Sequence, residues 1–386
     1  MLRTGSALGH MPGAQRPPAA GDHVVAWVRR EMGFTASLVS TLVVLAFGRA
    51  LFSHLTLPWV LGLLFGWLFG VILLAAFGVV RHAEFLAHVF GEPYGTLILT
   101  ISAVCIEVIM ITTMMLHGDP DPTMARDTIY STLMIIINGL IGLAMLLGGA
   151  KYGEQQYNLK SSGAFFSMIL ALVGLGLLVP SIVPPASRGR YGIFLTVSSV
   201  LLYAIFLRIQ IKEHRYFFVY RGNEDRVGGA HHSEVDRAGW LYHAILLAAT
   251  LVTIGYLAES LAIVIDDGSD RLGVPDQVGA LAVALLILAP EGLTAIRAGL
   301  RNDMQRVVNI SLGSALSTIS LTIPAVLIFG MILRREVILG LTGIQATMLA
   351  LSLFVGMNSY RSGETNLLQG AIHFVLFASF VVLMFF

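Results

Sequence analysis

Charge is what this sequence has least of. Only 12% of its 386 residues are Asp, Glu, Lys or Arg, where a soluble domain carries roughly 25%. A chain this poor in charge cannot cover a water-facing surface, which excludes an ordinary soluble globular domain. Cysteine is almost absent. Cys105 stands alone, so neither an intrachain disulfide framework nor a multi-cysteine metal site is possible. It lies in an apolar run and reads as a small buried hydrophobe. No block of Lys and Arg is long enough to follow a phosphate backbone, which excludes nucleic acid as a partner. The net charge of +1 points to no acidic partner either.

What the sequence has in abundance is apolar side chains, 56% of the total, with a mean hydropathy of +0.80. They come in runs of about 20 rather than at one-face helical periods, which marks a polytopic α-helical membrane protein. Eleven runs are long enough to cross a bilayer: 34–53, 58–80, 93–116, 127–149, 163–183, 191–211, 240–265, 277–299, 306–333, 337–357 and 366–386. The expected fold class is therefore all-α, a polytopic membrane protein of about 11 transmembrane helices. Residues 1–33 are rich in Gly, Pro and Ala, with scattered Arg and no apolar segment near the start. They read as a cytoplasmic tail rather than a signal peptide.

Lys and Arg are unevenly shared between the loops. With the N-terminus in the cytoplasm, the tail and the cytoplasmic loops hold 16 of them and the other side 6. The positive-inside rule then gives N-terminus in and C-terminus out. The longest polar connector, 213–239, leaves five runs after it, and five before it once the first run is set aside. The expected organisation is a tail over 1–33, one extra helix over 34–57, a five-helix repeat over 58–212, a cytoplasmic linker over 213–239 and a second five-helix repeat over 240–386. Five is odd, so the two halves lie inverted in the membrane. Many secondary transporters share that plan and bind substrate near the midplane between the halves.

Against this apolar background, ionisable residues deep inside spans stand out. Glu107, in "AVCIEVIM", and Glu291, in "LLILAPEGLTAI", occupy the second helix of each half. No Lys or Arg sits mid-span to neutralise either one. An intramembrane carboxylate of that kind is a functional-site hypothesis by default; the bland alternative is a protonated Glu hydrogen-bonded between helices. Thr96, Thr100, Ala103 and Glu107 share one helix face by spacing. Asp127, Ser131 and Asn138 do the same on the next span, and Asn309, Gly313 and Ser317 in the second half. Small and hydroxyl residues at such spacing also serve plain close packing. Pro290 removes a backbone donor and leaves the Leu286 carbonyl without its helical partner, an opening that can serve a cation. Glu259, near Asp266 and Asp267, is a weaker candidate at one membrane surface. His373, inside the last span, could contact the path, although a lone His is more often structural. The linker acids Glu224, Asp225, Glu234 and Asp236 stand among arginines, and the pair His231 and His232 lacks the further ligands a metal would need.

These residues resemble a known family. The stretch "APEGLTAIRAGLRNDMQRVVNISLGSALSTISLTIP" is similar to the second α-repeat of the cation/proton exchangers in the calcium:cation antiporter superfamily, in the branch of the bacterial calcium/sodium:proton antiporters. Glu291 falls at the repeat's acidic position, and Leu312, Gly313 and Ser314 match its Leu-Gly-Ser element. "GEPYGTLILTISAVCIEV" followed by "RDTIYSTLMIIINGLIGLAMLLGG" resembles the first α-repeat with Glu107 at the acid, although "AVCI" stands where that repeat has Gly-Asn-Ala-Thr. "GGAKYGEQQYN" and "SGETNLLQGAIH" each follow a repeat at a similar distance.

The resemblance implies a secondary active transporter in a bacterial cytoplasmic (inner) membrane, not an enzyme, that exchanges a cation for protons by alternating access. Glu107 and Glu291 would form the shared cation and proton site, with Thr100, Ser131, Asn138, Asn309, Ser314, Pro290 and Leu286 in support. Hard cations such as Ca²⁺ gather several oxygen ligands, and two carboxylates offset a double charge. Ca²⁺ is thus the first expectation, with Na⁺ and K⁺ as alternatives. No resident cofactor and no protein partner are expected, only the transported ions and the surrounding lipid. A passive cation channel is the rival reading, and an intramembrane enzyme is a remote one.

Overall fold

The computed structural model describes residues 20–53, 55, 57–91, 94–116, 121–210 and 239–386. The acids and histidines of the linker lie outside that set. Helix α1 (Ala20–Arg30) stands within the stretch read as a tail, and α2 (Met32–Phe52) is the extra helix. The first half continues with α3 (Pro58–Phe90) and α4 (Tyr94–Leu116). Next comes a long helix made of α5 (Met124–Met134), a π turn at Ile135–Leu140 and α6 (Ile141–Tyr152). Helices α7 (Leu159–Val173) and α8 (Arg188–Arg208) complete the half. The second half repeats the order: α9 (Trp240–Leu272), α10 (Asp276–Gly299), then α11 (Met304–Ser317), a π turn at Thr318–Thr322 and α12 (Ile323–Leu333). Helices α13 (Gly343–Ser359) and α14 (Leu367–Leu383) close the chain.

Among the described residues, nine helical stretches are long and apolar enough to span a membrane, and α13 and α14 are shorter at 17 residues each. Together they fall on the eleven runs read from the sequence. Helices α3 and α9 run to 33 residues each, past the ends set by hydropathy at 80 and 265. At about 1.5 Å per residue each is roughly 50 Å long, well beyond a hydrocarbon core of about 30 Å. Hydropathy stops where Arg81, His82 and Glu84, or Asp266, Asp267 and Asp270, begin, but the helices continue through them. A second difference is a two-stranded ribbon. Strands β1 (Glu154–Gln156) and β2 (Glu364–Asn366) pair antiparallel, with Gln155 opposite Thr365. It joins the two halves through the very motifs that follow each repeat.

Contacts between loops sort the helix ends into two faces. On one, Lys151 and Tyr152 bond the Leu300 carbonyl, and Gln155 bonds that of Gly299. The junction of α1 and α2 meets α3 and α9 through Glu31, which is 1% exposed. Arg81 bonds Glu31, Arg30 Nε lies 3.0 Å from it, and the Tyr242 hydroxyl donates to it at 2.7 Å. Burial pushes the Glu31 carboxyl up, but Tyr242 and Arg81 outweigh burial and hold it below its ordinary value. His82 completes the cluster, with Nε2 at 3.3 Å from Glu31 and Nδ1 at 2.9 Å from Nδ1 of His243. On the opposite face the Ile338 amide bonds the Pro122 carbonyl, and Ser181 bonds that of Leu341.

The apolar interior forms two bodies. One is built from α2, α3 and α9 with parts of α4 and α10 and Met124 at the start of α5; the other holds the rest of α5, α6 to α8 and α11 to α14 with the remaining parts of α4 and α10. Helices α4 and α10 contribute to both. Ile106 and Met110 belong to one body and Ile111 to the other; Val283 and Leu286 belong to one and Ala284 and Leu288 to the other. The two helices that carry the suspect glutamates are therefore the seam between the bodies.

Candidate functional site

Glu107 is 3% exposed. Its Oε2 accepts hydrogen bonds from the Thr318 hydroxyl at 3.1 Å and the Thr322 hydroxyl at 2.5 Å. Its Oε1 is buried with no hydrogen-bond partner. The two threonines stand at the ends of the π turn in the second half, so the carboxylate of one half is held by hydroxyls of the other. π turns inside α-helices often mark functional sites, because the extra residue redirects side chains that an α-helix would spread apart.

Glu291 occupies the matching place on α10 but meets a different setting. It is half-buried and lines a cavity of ≈ 350 Å³. Ser314 is within hydrogen-bonding reach of its carboxylate, while Oε2 is buried without a partner. Helix α10 packs against the π turn of the first half, Ile135–Leu140, which carries no hydroxyl. Gly292 permits that approach, since a Cβ there would lie 2.8 Å from Leu140 Cδ2. The two carboxylates are near enough for their charges to interact.

The cavity is open to the face that holds the ends of α3 and α8, through Val80, Glu84, Gln210 and Arg306. Thr96, Thr100 and Ala103 line it from α4, and Asn309, Gly313 and Ser317 from α11, so both stripes read from spacing face this space. Pro290 and Ser314 line it as well. Glu107 is not in its wall; it lies deeper. Helix α10 runs unbroken through Pro290, so the opened helix expected there is not observed. Leu286 is fully buried in the apolar body and does not reach the cavity. The ring is accommodated inside the helix, with the Leu286 side chain packed in the apolar body.

Ser131 and Asp127 belong elsewhere. They line a second cavity of ≈ 410 Å³ at the opposite face, with Gln277, Thr342 and Gln345. Asp127 is not a free carboxylate, since Arg126 bonds both its oxygens, at 2.8 and 3.0 Å, and Gln345 adds a third bond at 2.8 Å. Asn138 is packed into the first half's π turn, where it donates to Ser352 at 2.8 Å and contacts His373 Nδ1 at 3.1 Å. His373 is fully buried and reaches Ser359 through Nε2 at 3.2 Å, so this trio ties the π turn to α13 and α14. Glu259 is exposed on α9.

Thr318 and Thr322 were not singled out from the sequence. The signal was there, two threonines four apart in "STISLT", but only the crossing of the halves brings them to Glu107. Among the described residues, no group of three or more His, Cys, Asp or Glu side chains could hold a metal. Any ion here would rest on the two glutamates, hydroxyls and backbone oxygens.

The description of the matching family is sodium/calcium exchanger protein, and its model fits residues 60–212 and 242–386. The chain belongs to this family. The two matched stretches meet at the long polar connector. Among curated relatives, the sodium-potassium/proton antiporter ChaA of Escherichia coli is 38% identical over 86% of this chain and 91% of its own length. The Ca²⁺/H⁺ antiporter of Aphanothece halophytica is 24% identical over 81% of this chain and 86% of its own. Among solved structures, native YfkE superposes with a TM-score of 0.71 over 92% of this chain and 99% of that one, at 17% identity, and so shares the fold. The two curated relatives are antiporters, not enzymes.

Proposed function

We propose that this exchanger moves a cation against protons by alternating access, with Glu107 and Glu291 as the shared site. The observation that carries this reading is the pair of buried carboxylate oxygens, Oε1 of Glu107 and Oε2 of Glu291, that accept no hydrogen bond and stand where the two apolar bodies meet. A buried acceptor left open is costly, and an ion or a proton removes that cost. Desolvation and the like-charged neighbour both disfavour an empty, doubly ionised pair. Such a site crosses a low-dielectric seam at great expense, whereas the loaded or protonated site crosses freely. Antiport follows, because the bodies move only when something occupies the pair. The cavity reaches Glu291 from the face assigned to the cytoplasm by the positive-inside rule, which makes this the inward-facing state.

The names of the relatives divide between sodium or potassium and calcium, so the cation is Ca²⁺, Na⁺ or K⁺. Proton flux in everted vesicles on addition of each salt tests the reading. Glu107→Gln and Glu291→Gln should each abolish exchange while the protein still accumulates in the membrane. Full exchange in either variant refutes it, and cation flux that needs no counterflow of protons would establish a channel instead.

A further inference from the structure

We infer that Thr318 and Thr322 set which cation Glu107 accepts, and that they set it for a monovalent ion. The inference rests on Glu107 being a cation ligand. A carboxylate offers about four lone-pair positions, two on each oxygen. Both hydroxyls converge on one of those oxygens, Oε2, and fill it. Oε1 is buried and accepts nothing. Glu107 is thus held as a ligand with one usable oxygen.

That restriction bears unequally on the candidate ions. Calcium gathers about six to eight oxygens and can take both oxygens of a carboxylate. It must then pull Oε2 away from two donors before Glu107 can serve fully. A singly charged ion needs fewer ligands and less negative charge, and Oε1 supplies it without disturbing either threonine. The hydroxyls do not yield easily. Thr318 is 2% exposed and Thr322 fully buried, and a β-branched side chain has few rotamers. Each hydroxyl would also lose a hydrogen bond to a charged group, among the stronger kinds in proteins. This departs from the expectation of Ca²⁺ that counting carboxylates suggests, because the count ignores how many of their oxygens are already taken.

The contrast within the molecule supports the assignment. The π turn in the first half spells IIINGL, without a hydroxyl, and Glu291 is left to Ser314 and the cavity. Selectivity is therefore concentrated at one carboxylate and is carried by residues of the other half.

The test measures proton flux in proteoliposomes of the full-length chain against graded NaCl, KCl or CaCl₂. The wild type should respond to NaCl or KCl at lower concentration than to CaCl₂. Thr318→Val with Thr322→Val frees Oε2 and should move the ratio of apparent affinities toward Ca²⁺ by about tenfold or more, the effect of losing one hydrogen bond to a charged group. Thr322→Ser keeps the donor and should hold the ratio. Should the double variant not fold, Thr318→Val removes the longer bond alone and must shift the ratio in the same direction. Heat stability of the detergent-solubilised protein in the three salts reads the same ratio without transport. A wild type that prefers CaCl₂, or a ratio unmoved by the valine variants, overturns the inference. Glu107→Gln separates the two levels: if it still exchanges, the site reading fails; if it is silent while the valine variants leave the ratio unmoved, only the role of the threonines fails.

Discussion

Glu107 and Glu291 stand at the same place in two halves of the same plan, yet their surroundings differ. Glu107 is sealed between helices with one oxygen taken by Thr318 and Thr322. Glu291 borders a cavity and has Ser314 nearby. The difference comes from the partner each glutamate meets across the seam, a π turn spelled TISLT for one and IIINGL for the other. Repetition of a fold thus gives two equivalent positions, and the sequence of the opposite half decides what each position does. One glutamate is held by hydroxyls and the other borders a cavity.

The largest effect that separates this arrangement from simple packing is the loss of exchange in both glutamine variants. A finer probe is to shorten each acid. Glu107→Asp withdraws the carboxylate from two hydroxyls, while Glu291→Asp moves a carboxylate within an open space. The first should reduce exchange at low cation concentration at least about tenfold more than the second, the value of a hydrogen bond to a charged group. Equal losses in concentration series of both variants would remove the distinction between a held and an open glutamate.

Much of this was legible in the sequence. Runs of apolar residues located the helices because lipid leaves no other place for them, and two carboxylates with no Lys or Arg in mid-span marked the two helices of the seam. The stripe of Thr96, Thr100 and Ala103 faces the cavity as its spacing requires, and so does that of Asn309, Gly313 and Ser317. What the sequence hid is contact between halves. Asp127, Ser131 and Asn138 share a helix face, yet Asp127 and Ser131 turn to another cavity and Asn138 to α13 and α14, since which neighbour a stripe meets is settled by packing. Leu286 followed from proline chemistry alone, and the surrounding apolar body overrode it. Thr318 and Thr322 lie four apart like many helical pairs, and only the crossing of two halves gives them a partner.

Asn138 sharpens the comparison of the two π turns, since its turn bonds Ser352 and His373 where the other bonds the Glu107 carboxylate. Asn138→Leu leaves Ser352 without its donor and His373 without its contact, both fully buried. Stability should fall by about 2 kcal/mol, read as a lower unfolding midpoint in detergent. No loss of stability would mean that the trio adds nothing and that Asn138 is free for another role.

Glu31 provides the control for what an unpaired buried carboxylate means. It is as buried as Glu107, yet it is met by Arg81, Arg30 and the Tyr242 hydroxyl, so its charge is compensated and holds α1, α2, α3 and α9 together. Because both arginines are substantially exposed, Glu31→Gln should cost only about 1 kcal/mol. The pH dependence has a definite sign. The folded protein holds the Glu31 carboxyl below its ordinary value of 4.5, so its contribution is present above that value and is lost as the pH falls through the lowered one. The difference in unfolding midpoint between wild type and Glu31→Gln should therefore be open at neutral pH and narrow as the pH drops below 4.5. A difference that widens in acid would mean that Glu31 is protonated in the fold and that its arginines do not hold its charge. Glu31 would then cease to mark the boundary between a buried acid that builds the protein and one that works in it.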